Sequence, residues 1–157
     1  MRFLTLGVLV LGLVTALSAQ TPAPPRQVYD DAADVKAEIA KSVSRAQREH
    51  KRLLLVFGGN WCGDCLALDK SFHAPPAAGI IDANFIVVHV SIGRFNLNED
   101  VAAKYKIPLE KGVPAIAVLE SDGTLLYSQR NGEFEPAGRM EPQVFIDFLN
   151  KWKPRRN

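Results

Sequence analysis

The sequence predicts an α/β domain: a mixed central sheet of about four strands, flanked by helices on both faces. Three observations point there. Leu53–Phe57 is wholly apolar and Phe85–Val90 is apolar except for His89, the pattern of strands covered on both faces. A helical stretch lies between these runs, and strands joined by a helical crossover within one sheet are parallel. A third run, Ala115–Leu119, is followed by the turn signal Ser121-Asp122-Gly123 and then Thr124–Tyr127. That arrangement reads as a hairpin and adds antiparallel pairing.

The chain opens with Met1-Arg2, a short positive start, and Phe3–Leu17 is then almost wholly apolar. The small residues of Ala16-Leu17-Ser18-Ala19 complete the pattern of a secretory signal peptide over residues 1–19. The apolar run falls short of the roughly 20 residues a bilayer span requires. No stable membrane insertion is therefore expected once the leader is cleaved. Residues 20–28 contain Pro22, Pro24 and Pro25 and read as an extended linker. The domain is expected over residues 29–152, with a basic tail at 153–157.

Within the domain, Tyr29-Asp30-Asp31 offers acidic capping residues for a first helix running to about Arg52, with Val35, Ile39, Val43 and Ala46 on its apolar stripe. His50 stands at its end as a solvated residue. A second helix follows the first strand and closes at Ala74-Pro75-Pro76. Residues 76–83 read as a short helical turn. Asn98 is placed to cap a helix carrying Val101, Ala102 and Tyr105, and Arg94–Leu97 is an irregular connection. Residues 131–142 are loop-like, and the last helix spans about Gln143–Trp152. Phe72, Phe85, Tyr105 and Phe145 are candidate core residues.

A chain of 157 residues has room for one domain with a proper core. Its 19 basic and 17 acidic residues nearly cancel, so nothing in the charge balance asks for nucleic acid. The chemistry concentrates at Asn60-Trp61-Cys62-Gly63-Asp64-Cys65, which holds the only two cysteines. With a helix starting at Cys62, its sulfur lies beside unpaired backbone N–H groups and the positive end of the helix dipole. Both favour the thiolate, which is the nucleophile. Cys65 lies on the same helix face one turn on, placed to attack a mixed disulfide formed at Cys62. A purely structural bridge is disfavoured, because it would close almost no loop.

Trp61-Cys62-Gly63-Asp64-Cys65 after a buried strand resembles the Trp-Cys-x-x-Cys signature of the thioredoxin superfamily. Gly112-Val113-Pro114 before the third strand looks like that family's cis-proline loop, and the order of elements agrees over residues 30–152. The resemblance implies a thioredoxin-like fold and a thiol–disulfide oxidoreductase, and the leader pattern makes an extracytoplasmic, periplasmic location the expectation. Cys62 would attack and Cys65 resolve, with no cofactor beyond the two cysteines. Partners would be protein thiols or disulfides and a redox partner that resets the pair, and the protein would be a monomer. Val113 and Pro114 would contact substrate, with Trp61 shaping the surface beside Cys62. The likeness to thioredoxin favours the reductase direction.

The chain departs from the family at three places. Val56 stands where thioredoxins usually carry a buried aspartate that helps deprotonate the second cysteine. Gly58 stands where the family often has an aromatic residue. The middle of the motif is Gly63-Asp64, which is expected to tune the pair: a carboxylate near the thiolate would make Cys62 less acidic.

Other readings stand beside these. The alternative function is a non-catalytic copper- or thiol-binding module of the same fold, since thiolates suit Cu(I). A resident metal is not expected, because His50, His73 and His89 are scattered and there is no second cysteine pair. A redox-dead scaffold is a third possibility. His89 is expected as a satisfied structural histidine rather than a proton-handling group near the site, and His73 as a helix-end residue. Asp69 is expected on a solvated face of the second helix rather than in a proton relay.

Overall fold

The computed structural model describes residues 27–155. The expected signal peptide at 1–19, most of the linker (20–26) and the last two residues of the tail lie outside the described residues. The elements run α1 (Val35–Glu49), β1 (Arg52–Gly58), α2 (Gly63–Phe72), α3 (Ala77–Asn84), β2 (Phe85–Ser91), α4 (Glu99–Lys104), β3 (Ala115–Leu119), β4 (Leu125–Ser128) and α5 (Pro142–Trp152). Short 3-10 turns occupy Leu109–Lys111 and Ala137–Arg139.

The four strands form one mixed sheet in the order β2-β1-β3-β4. β1 pairs with β2 in parallel, Leu55 opposite Val88, and with β3 antiparallel, Leu55 opposite Ala117. β4 returns antiparallel to β3 with an irregularity at Val118/Leu119. The sheet class and the pairing senses match the sequence expectation.

The alternation of β1 divides the core. Leu53, Leu55 and Phe57 pack on one face with Val35, Ile39 and Ala46 of α1 and Val101 and Ala102 of α4. Leu54 and Val56 face the other side, toward Leu68 and Phe72 of α2, Ile81 of α3 and Phe145 and Leu149 of α5. Covering on both faces is why the run is apolar without alternation. The four expected core aromatics, Phe72, Phe85, Tyr105 and Phe145, are all buried.

Several local expectations are corrected. The cap of α1 is Asp34, whose side chain accepts from the Ala37 N–H at 3.0 Å, rather than Asp30 or Asp31. Asp30 instead accepts from the Ala32 N–H in a tight turn ahead of the helix. Asn98 precedes α4, but its side chain makes no cap. Its Nδ2 donates to the Ser91 carbonyl at 2.7 Å, which fastens the 92–98 connection to the end of β2. Lys153, the first tail residue, is held rather than frayed: the Arg52 guanidinium donates to the carbonyls of Trp152 and Lys153 at 2.9 and 3.3 Å. Among the described residues, no helix is long and apolar enough to cross a membrane.

Candidate active site around the Cys62–Cys65 pair

β1 ends at Gly58, and Gly59, Asn60 and Trp61 turn the chain into α2. The helix starts at Gly63, one residue later than expected, which makes Cys62 its N-cap. The Cys62 sulfur accepts from the Cys65 N–H at 3.1 Å, taking the place a serine or aspartate oxygen usually fills at a helix start. The sulfur thus receives a direct hydrogen bond at the positive end of the helix dipole. Cys62 and Cys65 are joined as a disulfide.

The two sulfurs are not equivalent. Cys62 keeps 8% of its surface exposed and Cys65 none. The Cys62 sulfur also lies 3.5 Å from the Val113 carbonyl oxygen. The Val113–Pro114 peptide bond is cis, as the Gly-Val-Pro resemblance implied, and it brings that loop to face the pair. The Pro114 carbonyl is held in turn by the buried Gln129 side chain.

Trp61 is 41% exposed beside Cys62. Its Nε1 donates to the Gly93 carbonyl at 2.5 Å. Its ring sits against Phe95, with centroids 5.6 Å apart, and the Arg94 guanidinium lies 5.7 Å from the ring centre. The 92–98 connection thus forms an aromatic and cationic rim around Trp61, the residue next to Cys62. Arg94 and Phe95 were not singled out as site residues by sequence reasoning, and nothing in their local spacing marks them.

The two residues inside the motif play different parts. A side chain at Gly63 would meet open space, so packing does not require glycine there. The Asp64 carboxylate accepts from the Gly138 N–H at 2.8 Å, tying the start of α2 to the 3-10 turn at Ala137–Arg139.

Behind the disulfide the structure reveals an unanticipated arrangement. A Cβ on Gly58 would fall 2.6 Å from the Tyr29 hydroxyl and 2.8 Å from the Cys65 sulfur. The space that an aromatic side chain at this position would need is filled by Tyr29, from the segment ahead of α1. Asn60 fixes that segment. Its Oδ1 accepts from the N–H groups of Val28 and Tyr29 at 2.9 and 3.1 Å, and its Nδ2 donates to the Tyr29 carbonyl at 2.6 Å. Tyr29 is buried, and burial together with the nearby Asp69 charge holds its hydroxyl well above the usual tyrosine range.

Asp69 is not solvated. It is only 6% exposed, on the stripe of α2 that also buries Cys65, Leu68 and Phe72. The reason is His89 of β2, whose Nε2 lies 3.3 Å from Asp69 Oδ1. His89 is thus a partnered histidine within a strand, as expected. His73 ends α2, with Nδ1 at 2.7 Å from the Asp69 carbonyl. Among the described residues, no group of three or more His, Cys, Asp and Glu side chains is arranged to hold a metal ion.

A thioredoxin-like family model matches residues 34–121. The chain belongs to the thioredoxin-like family. Among solved structures, it is 37% identical to a disulphide isomerase from Xylella fastidiosa Temecula1, over 82% of this chain and 98% of that one, with a TM-score of 0.77. The oxidised C-terminal domain of DsbD from Neisseria meningitidis shares 17% identity over 77% of this chain and 97% of its own, with a TM-score of 0.56. A thioredoxin from Thermus thermophilus shares 16% identity over 71% and 81%, with a TM-score of 0.53. The last two likenesses show the fold alone. No curated protein sequence matches the chain significantly. Family and cysteine pair together make this thioredoxin-like protein a thiol–disulfide oxidoreductase.

Proposed function

We propose that this protein works outside the cytoplasm, in the periplasm, as a reductant of protein disulfides through the Cys62–Cys65 dithiol. The observation that carries the reading is the asymmetry of the pair: Cys62 caps a helix beside the cis-proline loop and keeps a small exposed surface, whereas Cys65 keeps none. The apolar leader over residues 3–17 supports export, and likeness to a disulphide isomerase supports proteins as substrates. Reduction and shuffling of disulfides both begin with the reduced dithiol.

The Cys62 thiolate attacks a substrate disulfide, and one substrate sulfur leaves as a thiol. Cys65 then attacks the Cys62 sulfur, the mixed disulfide breaks, and the second substrate sulfur leaves. Two electrons pass to the substrate, and the protein ends as the disulfide seen here. A separate dithiol partner returns it to the reduced form. Val113, Pro114 and Trp61 contact the substrate, and Gly63 and Asp64 tune Cys62. The protein acts as a monomer without a metal or organic cofactor.

Insulin reduction by the mature chain, with dithiothreitol as electron source, tests this. Acceleration over dithiothreitol alone is expected. Cys62→Ser should fall to background, and Cys65→Ser should accumulate a mixed disulfide at Cys62. No acceleration by the wild type overturns the reading, and stoichiometric Cu(I) binding in its place would indicate a binding module. A redox equilibrium against glutathione reads the direction.

A further inference from the structure

Cys65 has a chemical problem that Cys62 does not. Cys65 must lose a proton to resolve the mixed disulfide, yet it is completely buried. An isolated thiolate in that interior would be a new buried charge. The position on β1 that could have held a base is Val56, itself buried among apolar side chains.

The structure supplies a group elsewhere. Asp69 is one turn beyond Cys65 on the buried stripe of α2, where residues four apart are neighbours. Its carboxylate is met by His89 of β2 at 3.3 Å. The Tyr29 ring packs edge-on against His89, with centroids 5.3 Å apart. The Tyr29 hydroxyl is buried and makes no hydrogen bond among the described residues. It and the Cys65 sulfur are no farther apart than the sum of their 2.6 and 2.8 Å distances from the Gly58 Cβ position. Three elements distant in sequence thus converge behind one sulfur.

The cluster also has an outlet. The His89 side chain is 22% exposed and lines a groove of about 440 Å³ whose lining includes neither Trp61 nor the 92–98 connection. Other ionisable groups along that groove are Arg45 of α1, Lys51, His73 and Asp82 of α3. Strand β1 presents none to the cluster.

We propose that Asp69, assisted by Tyr29 and His89, takes the Cys65 proton as the mixed disulfide is resolved. The proposal rests on the dithiol chemistry above. The Cys65 S–H bond breaks and its proton passes to the Asp69 carboxylate. The Cys65 sulfur forms its bond to Cys62 Sγ as the bond from Cys62 to the substrate sulfur breaks. The substrate leaves as a thiolate and takes a proton from solvent. Negative charge moves from Asp69 to sulfur and outward, so no extra charge is created inside. The Tyr29 hydroxyl keeps its proton and donates a hydrogen bond to the developing thiolate. His89 holds Asp69 and returns the proton to the groove it lines.

The test uses the reduced full chain and Ellman's reagent in stopped flow. The first thionitrobenzoate release reports attack by Cys62, and the second reports Cys65. Wild type is expected to show a second phase nearly flat across neutral pH. Asp69→Asn should slow that phase about 100-fold at pH 7, the lower end of general-base effects. It should recover about tenfold per pH unit as solvent base takes over, with the first phase unchanged. Tyr29→Phe should slow the second phase about tenfold. A structural lesion would not be rescued by alkali. If Asp69→Asn keeps the wild-type pH profile, or if it does not fold and Tyr29→Phe leaves the second phase unaltered, the proposal is overturned. Because the reagent is itself the disulfide, the result is independent of insulin reduction, and failure of the proposed function would be seen separately.

Discussion

Cys62 and Cys65 share one disulfide, but their surroundings have little in common. Cys62, the N-cap of α2, lies beside the Val113 carbonyl and next to the Trp61–Phe95 pair, and it alone of the two cysteines keeps some exposed surface. Cys65 faces inward, against Gly58, the Tyr29 hydroxyl and the buried stripe of α2. The front is built to be approached and the back to be filled. Substitutions at the front should therefore change encounters with a partner, while those at the back should change the fold or the internal step.

The largest effect should come from the back. Gly58→Ala forces a methyl group to within 2.6 Å of a buried phenol and 2.8 Å of a buried disulfide sulfur. A loss of about 3 kcal/mol in urea unfolding is expected, the upper end for overpacking. Unchanged stability would mean that the Tyr29 ring is not firmly seated. Next is Asn60→Ala, which removes three hydrogen bonds to Val28 and Tyr29. About 2 kcal/mol should be lost, with hydrogen exchange at the Val28 and Tyr29 amides rising well above that of β1.

The front should respond more gently. Trp61→Ala should raise the KM for a protein disulfide about fivefold, near 1 kcal/mol, while unfolding stays within error of wild type. A stability loss larger than the KM effect would break the proposed division between front and back. Smallest of all is Asp64→Asn, which can still accept from Gly138 but removes the charge. The Cys62 thiolate titration, followed by alkylation rate against pH, should move down by an amount on the order of 0.5 kcal/mol. No movement would remove Asp64 from the tuning of Cys62.

The front was legible in the sequence and most of the back was not, for a physical reason. Trp61, Cys62 and Cys65 are local, and their roles follow from helix-start chemistry that acts within a few residues. Pro114 is distant, but Gly112-Val113-Pro114 carries its own mark. The sheet was legible because unbroken apolar runs such as Leu53–Phe57 admit few arrangements. The back depends on contacts across 31 residues between Asn60 and Tyr29, and on a strand-to-helix meeting of His89 with Asp69. No local pattern reports those. One signal was present: Asp69 falls at the fourth position after Cys65 on a stripe shared with Leu68 and Phe72. A lone carboxylate on an apolar helix face is a polar group that burial must provide for. The capping of α1 by Asp34 was missed because three neighbouring aspartates, Asp30, Asp31 and Asp34, are equally suited by residue type, and only the backbone path decides among them.

The hold of Asn60 on Val28 and Tyr29 has a bearing on maturation. Any peptidase that trims this polypeptide from its amino end must halt upstream of Val28. Digestion past that point would leave the Trp-Cys-Gly-Asp-Cys motif intact in every residue and yet open a void behind its second sulfur.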